Sequence, residues 1–403
     1  MKIHLITNLF HPDELAGASL FTDLAVYLHA QGHDVRVTTT FPYYPAWKLR
    51  PEDVGVRLRE ETFRGFPLRR VQMFVPAKPT GGSRVKSDLS FFFSLLQRAR
   101  FPGWTPEVVL TASPMFSQCL VQNFLYPGKN IPKLIVVQDF VVDAALELKM
   151  LNLPGLPWFL LGLENWAFKS AQTLFTISQP MLEKLQGKLK GSRRCLLVPN
   201  WIHRSLEDEI QRQHPTPVVR EKATLFYSGN LGIKQGLPFF IDSFKDCSGP
   251  WNLKVHGGGA ELETLLTQVD GVDSVTLGGV LDEVDYVHSL RTATACLITQ
   301  KPGVGANFLP SKLLPALATG TPILAVCEAD SPLGREVIEG QFGEVINPAD
   351  TPALEQTLRR WQSEPDLLAA MGAKSLARGK LYSRETILPQ YESELRRLVE
   401  KNR

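Results

Sequence analysis

Short, continuously apolar, β-branched runs alternate along the whole chain with longer segments of helical periodicity. In the first half the runs are Ile3–Asn8, Val35–Thr40, Arg70–Phe74, Val108–Thr111, Leu134–Val137, Leu174–Ile177 and Cys195–Val198. In the second they are Thr224–Tyr227, Leu253–Val255, Ser274–Leu277, Ala295–Ile298, Pro322–Val326 and Gly343–Ile346. Strands that are apolar along their whole length are buried on both faces, and strands separated by helices run parallel. Two such series, each of about six strands, predict an α/β chain of two doubly wound, Rossmann-like domains whose parallel sheets face each other across a cleft. A chain of 403 residues is also too long for one ordinary core.

The domains are expected at residues 1–200 and 201–382. The seam falls between Pro199 and Lys222, where the polar stretch Arg204-Ser205-Leu206-Glu207-Asp208-Glu209 and two prolines, Pro215 and Pro217, interrupt the strands. A last helix over 383–401, apolar at Ile387, Leu388, Tyr391, Leu395 and Leu398, is expected to pack on the first domain.

The five cysteines show no CxxC and no paired spacing, so they read as reduced core residues rather than disulfides or a zinc site. Met1 leads straight into a strand, and no 18-residue apolar stretch follows, so a cytoplasmic protein is expected. Charge is uneven: residues 1–200 carry a net +8 and the remainder −5. A basic first half suits an anionic partner, either a phosphorylated acceptor or lipid headgroups; scattered solvated charge is the alternative. Two apolar segments, 154–170 and Leu89–Leu96 with its flanking Arg84, Lys86, Arg98 and Arg100, read either as buried helices or as peripheral contacts with the inner face of a membrane. Nucleic acid is not expected, because the basic residues neither cluster nor interleave with stacking aromatics.

Four strand-to-helix turns carry the chemistry. His11-Pro12-Asp13-Glu14-Leu15-Ala16-Gly17-Ala18-Ser19 places small residues where backbone amides can approach an oxyanion or a sugar hydroxyl. Tyr227-Ser228-Gly229-Asn230-Leu231-Gly232-Ile233-Lys234-Gln235-Gly236 joins glycines to a cation, which suits a diphosphate, although it has neither P-loop nor GxGxxG spacing. Val255-His256-Gly257-Gly258-Gly259-Ala260-Glu261 implies close backbone approach by a ligand or by neighbouring chain, with His256 structural. Gly303 to Leu313 brings Ser311 and Lys312 into a helix start, where a hydroxyl and an ammonium join backbone amides. Three of these turns share one domain and lie at carboxyl ends of strands, where open α/β sheets bind ligands.

These residues resemble the retaining family-4 glycosyltransferases of the GT-B fold, in their colanic-acid and exopolysaccharide branch. The pieces that carry the resemblance are Thr40-Phe41-Pro42-Tyr43-Tyr44-Pro45, Val137-Gln138-Asp139-Phe140-Val141-Val142-Asp143-Ala144-Ala145, Val198-Pro199-Asn200-Trp201, Ser228 to Gly236 and Leu309-Pro310-Ser311-Lys312-Leu313. They occur in the family's order over roughly residues 1–375. The resemblance implies a nucleotide-sugar donor held by the second domain and a glycan, lipid-linked or small-molecule acceptor held by the first. It implies Gly229, Asn230, Gly232, Lys234 and Gln235 beside the donor diphosphate, with Asn307, Pro310, Ser311 and Lys312 opposite. Gly257, Gly258, Gly279 and Val280 complete the donor side, and Gly17 lies beneath the transferred sugar. Gln138 falls where many relatives place a sugar-contacting histidine, followed by Asp139; with Lys234 and Lys312 these are the catalytic candidates. Tyr43, Tyr44 and Trp47 either stack on an acceptor or pack. The chain departs from the family where the diphosphate turn's Arg and Lys become Asn230 and Gln235. The usual pair of glutamates separated by seven residues also falls on Asn307 and Pro315, which removes a carboxylate from the ribose.

Glycosyl transfer needs stabilisation of a departing diphosphate more than a strong base, and amides with Lys234 and Lys312 can supply it. No Asp-x-Asp occurs, so neither metal nor cofactor is expected, and UDP is favoured over GDP as the donor nucleotide. The rivals are a nucleotide-sugar epimerase of the same fold, for which no acid/base set is visible, and a non-catalytic sugar-nucleotide-binding protein.

Overall fold

Each series of apolar strands builds one sheet. The computed structural model describes all residues except 14–15, 45, 78–80, 114, 141, 144–155, 215–220, 222, 304–308 and 349. Asn307, Glu14, Leu15 and Pro45 of the motifs above therefore lie outside the described residues. The chain divides into two units, Met1–His203 with Ile387–Arg403, and Arg204–Thr386.

The first unit runs β1 (Lys2–Ile6), α1 (Ala16–Ala30), β2 (Asp34–Thr40), β3 (Leu58–Phe63), β4 (Phe66–Val71), α2 (Gly81–Arg98), β5 (Val108–Ala112), α3 (Phe116–Val121), β6 (Lys133–Val137), α4 (Leu156–Ser170), β7 (Thr173–Thr176), α5 (Gln179–Leu189) and β8 (Arg194–Leu197). Its eight-stranded sheet has the order β3-β4-β2-β1-β5-β6-β7-β8. The order reverses between β1 and β5, which opens a crevice beyond their carboxyl ends.

All neighbours in this sheet pair parallel except β3 with β4. That antiparallel hairpin corrects the expectation of purely parallel sheets, and β4 begins earlier than the anticipated Arg70–Phe74 run. β3 reads Leu-Arg-Glu-Glu-Thr-Phe and is exposed at alternate residues, so it lacks the continuous apolar signature. Its signal lay in the two-residue Arg64-Gly65 turn, with positive φ of 45° and 95°, as tight hairpins require. Charge guards this sheet edge, Glu60 bonding Arg69 and Glu61 accepting from Arg70 Nε at 2.8 Å.

The second unit runs α6 (Arg204–Gln213), β9 (Thr224–Asn230), α7 (Leu237–Lys245), β10 (Asn252–Gly258), α8 (Leu262–Gln268), β11 (Val275–Gly278), α9 (Glu283–Thr292), β12 (Ala295–Thr299), α10 (Leu313–Ala318), β13 (Ile323–Val326), α11 (Pro332–Gly340), β14 (Gly343–Ile346), α12 (Thr351–Ser363) and α13 (Pro365–Gly379). Its six strands are all parallel in the order β11-β10-β9-β12-β13-β14, and they reverse between β9 and β12. Helix starts follow local chemistry: Asp282 accepts from Asp285 N at 2.9 Å, and Ser331 from Gly334 N at 3.1 Å with Pro332 in the first turn.

The last helix, α14 (Arg384–Asn402), places Ile387, Leu388, Tyr391, Leu395, Leu398 and Val399 in the first unit's core. The Tyr391 ring lies 4.9 Å from Phe175 and 5.5 Å from Trp201, centroid to centroid. Buried Glu394 accepts from Thr173 Oγ1 at 2.6 Å. No helix of the described residues is long and apolar enough to cross a membrane.

Tyr391 is fully buried among aromatics, so Tyr391→Ala should destabilise the first unit by about 3–5 kcal/mol. Urea unfolding measures this; an unchanged midpoint would mean that α14 is not part of the cooperative core.

Candidate active site

The candidate residues fall into two groups, one on each unit. In the second unit, β9 and β10 run parallel to their tips, with Gly257 opposite Gly229 and Gly258 opposite Asn230. A Cβ on Gly257, at φ +150°, would overlap the Gly229 carbonyl oxygen. The close approach implied by three consecutive glycines is thus made by neighbouring chain. A Cβ on Gly258 would meet only Val280 Cγ2 at 4.0 Å, and Val280 is exposed. Gly279 has nothing within 4 Å of its Cβ position, and its carbonyl lies 3.3 Å from His256 Nδ1. His256 is therefore held by backbone and a ring contact with Phe226.

Lys312 is the centre of this group. Its Nζ lies 3.5 Å from the Tyr227 ring centroid, and a Cβ on Gly229 would stand 2.7 Å from its Cε. A side chain at Gly229, where φ is +135°, would push the end of that lysine aside. The Tyr227 hydroxyl donates to the Asn230 carbonyl at 2.7 Å, which fixes the turn beyond. Among the described residues Lys312 forms no ion pair with a carboxylate, and burial lowers its pKa to about 7, opposed weakly by Cys296. A cation removed from water without a partner is held at a cost that an arriving anion would relieve.

The remaining second-unit candidates surround this point. Asn230 Nδ2 and Gln235 Oε1 lie 2.8 and 3.0 Å from a Cβ built on Gly232. Gln235 Oε1 is buried without a partner among the described residues. Lys234 is exposed, and its carbonyl accepts from Lys301 N at 2.9 Å, which ties the β9 turn to the loop after β12. Ser311 is exposed and Pro310 half-buried ahead of α10. Pro315, in the place of a usual glutamate, is buried and its carbonyl accepts from Thr319 N at 3.0 Å. Nothing in the sequence pattern pointed to Gln300. It follows β12 at the strand-order reversal, is 3% exposed, and has both amide atoms without partners among the described residues.

In the first unit, Gln138 and Asn200 form a reciprocal amide pair at 2.9 and 3.0 Å, joining the loops after β6 and β8. Asp139 is exposed, and its Oδ1 accepts from Phe140 N at 2.7 Å. A Cβ on Gly17 would meet only Leu9 Cδ1, at 4.0 Å. Gln118 was also missed. Its Nε2 bonds the Asn8 side chain at 3.3 Å and the Ala112 carbonyl, which bridges the reversal between β1 and β5. Of the three aromatics, Tyr43 is buried with its hydroxyl 3.5 Å from Asn8 Nδ2, and half-buried Tyr44 and Trp47 pack against the same cluster.

Asp13 organises that loop. Its Oδ1 accepts from the amides of Tyr43 and Tyr44, each at 3.0 Å. Burial raises its pKa against the pull of those amides and Arg70. Buried Arg70 donates to the His11 carbonyl at 2.7 Å and the Thr40 carbonyl at 3.3 Å. The turn after β1 and the loop after β2 are therefore one hydrogen-bonded assembly.

Known glycosyltransferases resemble this chain in sequence and in fold. The family described as "Glycosyl transferase 4-like domain" matches residues 17–201. The colanic acid biosynthesis glycosyl transferase WcaI of Escherichia coli (strain K12) is 27% identical over 380 residues, covering 89% of this chain and 92% of that protein. The sucrose-phosphate synthase of Thermosynechococcus elongatus superposes with a TM-score of 0.71 at 17% identity, over 100% of both chains. Anabaena HepE in complex with UDP superposes at 0.64 with 12% identity, over 98% of this chain and 99% of that one. At such identities the structures speak to the fold alone.

Two outcomes test this geometry. Gly257→Ala should lower stability by about 1–3 kcal/mol through the forced shift of the Gly229 backbone, read from thermal unfolding; wild-type stability would show that the strand tips have slack. Lys312→Met should raise the stability of the ligand-free protein at about pH 6, with the gain shrinking towards pH 10. The sign follows from a folded-state pKa of about 7 below the ordinary 10.5: the unfolded chain binds more protons in that interval, so the wild type gains stability as pH rises. Urea midpoints at the two pH values measure this, and a pH-independent difference would show that the ammonium is not desolvated.

Proposed function

We propose that this chain, which has the GT-B fold, is a glycosyltransferase of the family-4 type and its exopolysaccharide branch, and that it carries out a metal-independent transfer that retains the anomeric configuration. The donor is a nucleoside-diphosphate sugar, with UDP favoured over GDP, and the acceptor is a hydroxyl of a glycan, lipid-linked or small-molecule substrate. The observation that carries this reading is the desolvated ammonium of Lys312, without an ion-pair partner among the described residues, beside the glycine turn at the β9–β12 reversal. A diphosphate placed there meets one fixed cation and the backbone of Gly229 to Gly232, with Lys234 exposed on the same turn. Charge that develops on the leaving phosphate is met by groups already oriented.

The first unit supplies position rather than protons. Gln138, locked to Asn200, can donate to and accept from sugar hydroxyls but has no titrating proton. With no protein base assigned, the leaving phosphate deprotonates the acceptor as it attacks on the same face. The choice of UDP rests on the wide use of that nucleotide among similar enzymes, and HepE, of the same fold, has been solved with UDP.

Calorimetric titration with UDP, GDP, dTDP and CMP, with and without EDTA, tests the reading. UDP should bind in the presence of EDTA, with affinity falling above about pH 7 because the free lysine must regain a proton to meet the diphosphate. Lys312→Met should weaken UDP binding by about tenfold or more and remove that pH dependence. Equal UDP affinity in wild type and variant would refute the proposed diphosphate site.

A further inference from the structure

The first unit exposes an apolar surface that its own core leaves uncovered. Along α2, Val85, Leu89 and Phe93 stand outward at 55%, 55% and 57% exposure, one helical turn apart. Along α4, Trp158, Phe159 and Trp166 are exposed at 79%, 63% and 46%. The two helices are joined by rings. Phe92 lies 6.1 Å from Phe124, itself half exposed, and Phe124 lies 5.8 Å from Trp166. Isolated exposed apolar residues are normal, but a connected surface of this kind marks a contact with something outside the unit. The second unit's large exposed apolar side chains, by contrast, include a single aromatic among the described residues, Phe239.

Charge identifies the occupant. Arg84 and Lys86 are exposed at the start of α2, Arg98 and exposed Arg100 stand at its end, and exposed Lys169 closes α4. The acidic groups of these helices are turned to internal work. Asp88 accepts from Ser117 N at 2.9 Å, and buried Glu164 pairs with Lys188 at 2.7 Å. Tryptophan and phenylalanine rimmed by lysine and arginine suit the interface of an anionic bilayer, where rings sink to headgroup depth and cations meet phosphates. We infer that the first unit docks on an anionic lipid bilayer through the ridge formed by α2, Phe124 and α4.

The inference does not depend on the donor site, so the two can fail separately. The full chain is sedimented with vesicles of phosphatidylcholine alone or mixed with phosphatidylglycerol, and tryptophan emission is followed with brominated acyl chains. Binding should require phosphatidylglycerol and weaken with salt. Trp158→Ser with Phe159→Ser should cut it by about tenfold or more, and Arg84→Glu with Lys86→Glu should remove the preference for phosphatidylglycerol. UDP affinity and circular dichroism should remain those of the wild type. Should the serine variant misfold, Trp158→Phe with Trp166→Phe should keep vesicle binding and lose most of the bromine quenching. Three results would overturn the inference: no vesicle binding, binding untouched by these substitutions, or a lipid-free dimer by light scattering that the serine substitutions dissolve.

Discussion

The second unit is arranged around one desolvated lysine, which has no ion-pair partner among the described residues. Lys312 reaches from the start of α10 across Gly229 to the face of Tyr227, and each neighbouring residue is fixed by that reach. Gly229 has a φ of +135°, which disfavours a side chain, and the end of the lysine lies where a Cβ would stand. Gly257 can carry none because the Gly229 carbonyl stands in its way. Tyr227 presents its ring to the ammonium and its hydroxyl to Asn230, so the strand that meets the charge also orients the turn. Desolvation keeps the group close to neutrality in the empty protein. An anion would complete an arrangement otherwise held at a standing electrostatic cost.

The first unit solves a different problem, which is to hold the loops around the β1–β5 crevice still. Asp13 and Arg70 bind backbone of the turn after β1 and the loop after β2, and both are buried beneath the loops they join. Closer to the crevice the contacts are between amides: Gln138 with Asn200, and Gln118 with Asn8. Amide pairs are directional and do not titrate, which suits a surface that must present the same donors and acceptors over a range of pH.

Most of the strands were legible in the sequence because a strand buried on both faces leaves no room for polar residues. Ile3, Leu5, Leu134 and Leu297 are all wholly buried. β3 was illegible for the converse reason: at a sheet edge its glutamates are partly exposed and pair with Arg69 and Arg70 of β4. The glycine turns announced a close approach, but not whose. Only the paired strands reveal that Gly257 accommodates Gly229 rather than a ligand. Tyr43 looked equally suited to stacking and to packing until its burial was seen. Gln300 and Gln118 gave no signal, because a lone glutamine has no periodicity, and its importance lies in being buried without enough partners.

The route of the chain has a consequence for biosynthesis. The first unit is left at His203 and rejoined only at Ile387, so the whole second unit is translated in between. Trp201 and Phe175 leave the ribosome long before Tyr391, the residue that packs against both. The nascent first sheet therefore waits with one apolar face uncovered, while residues 204–386 already hold everything their own core requires. The usual order, in which the N-terminal domain matures first, is inverted here. The turns of α14, made after the whole second unit, complete the core of the first.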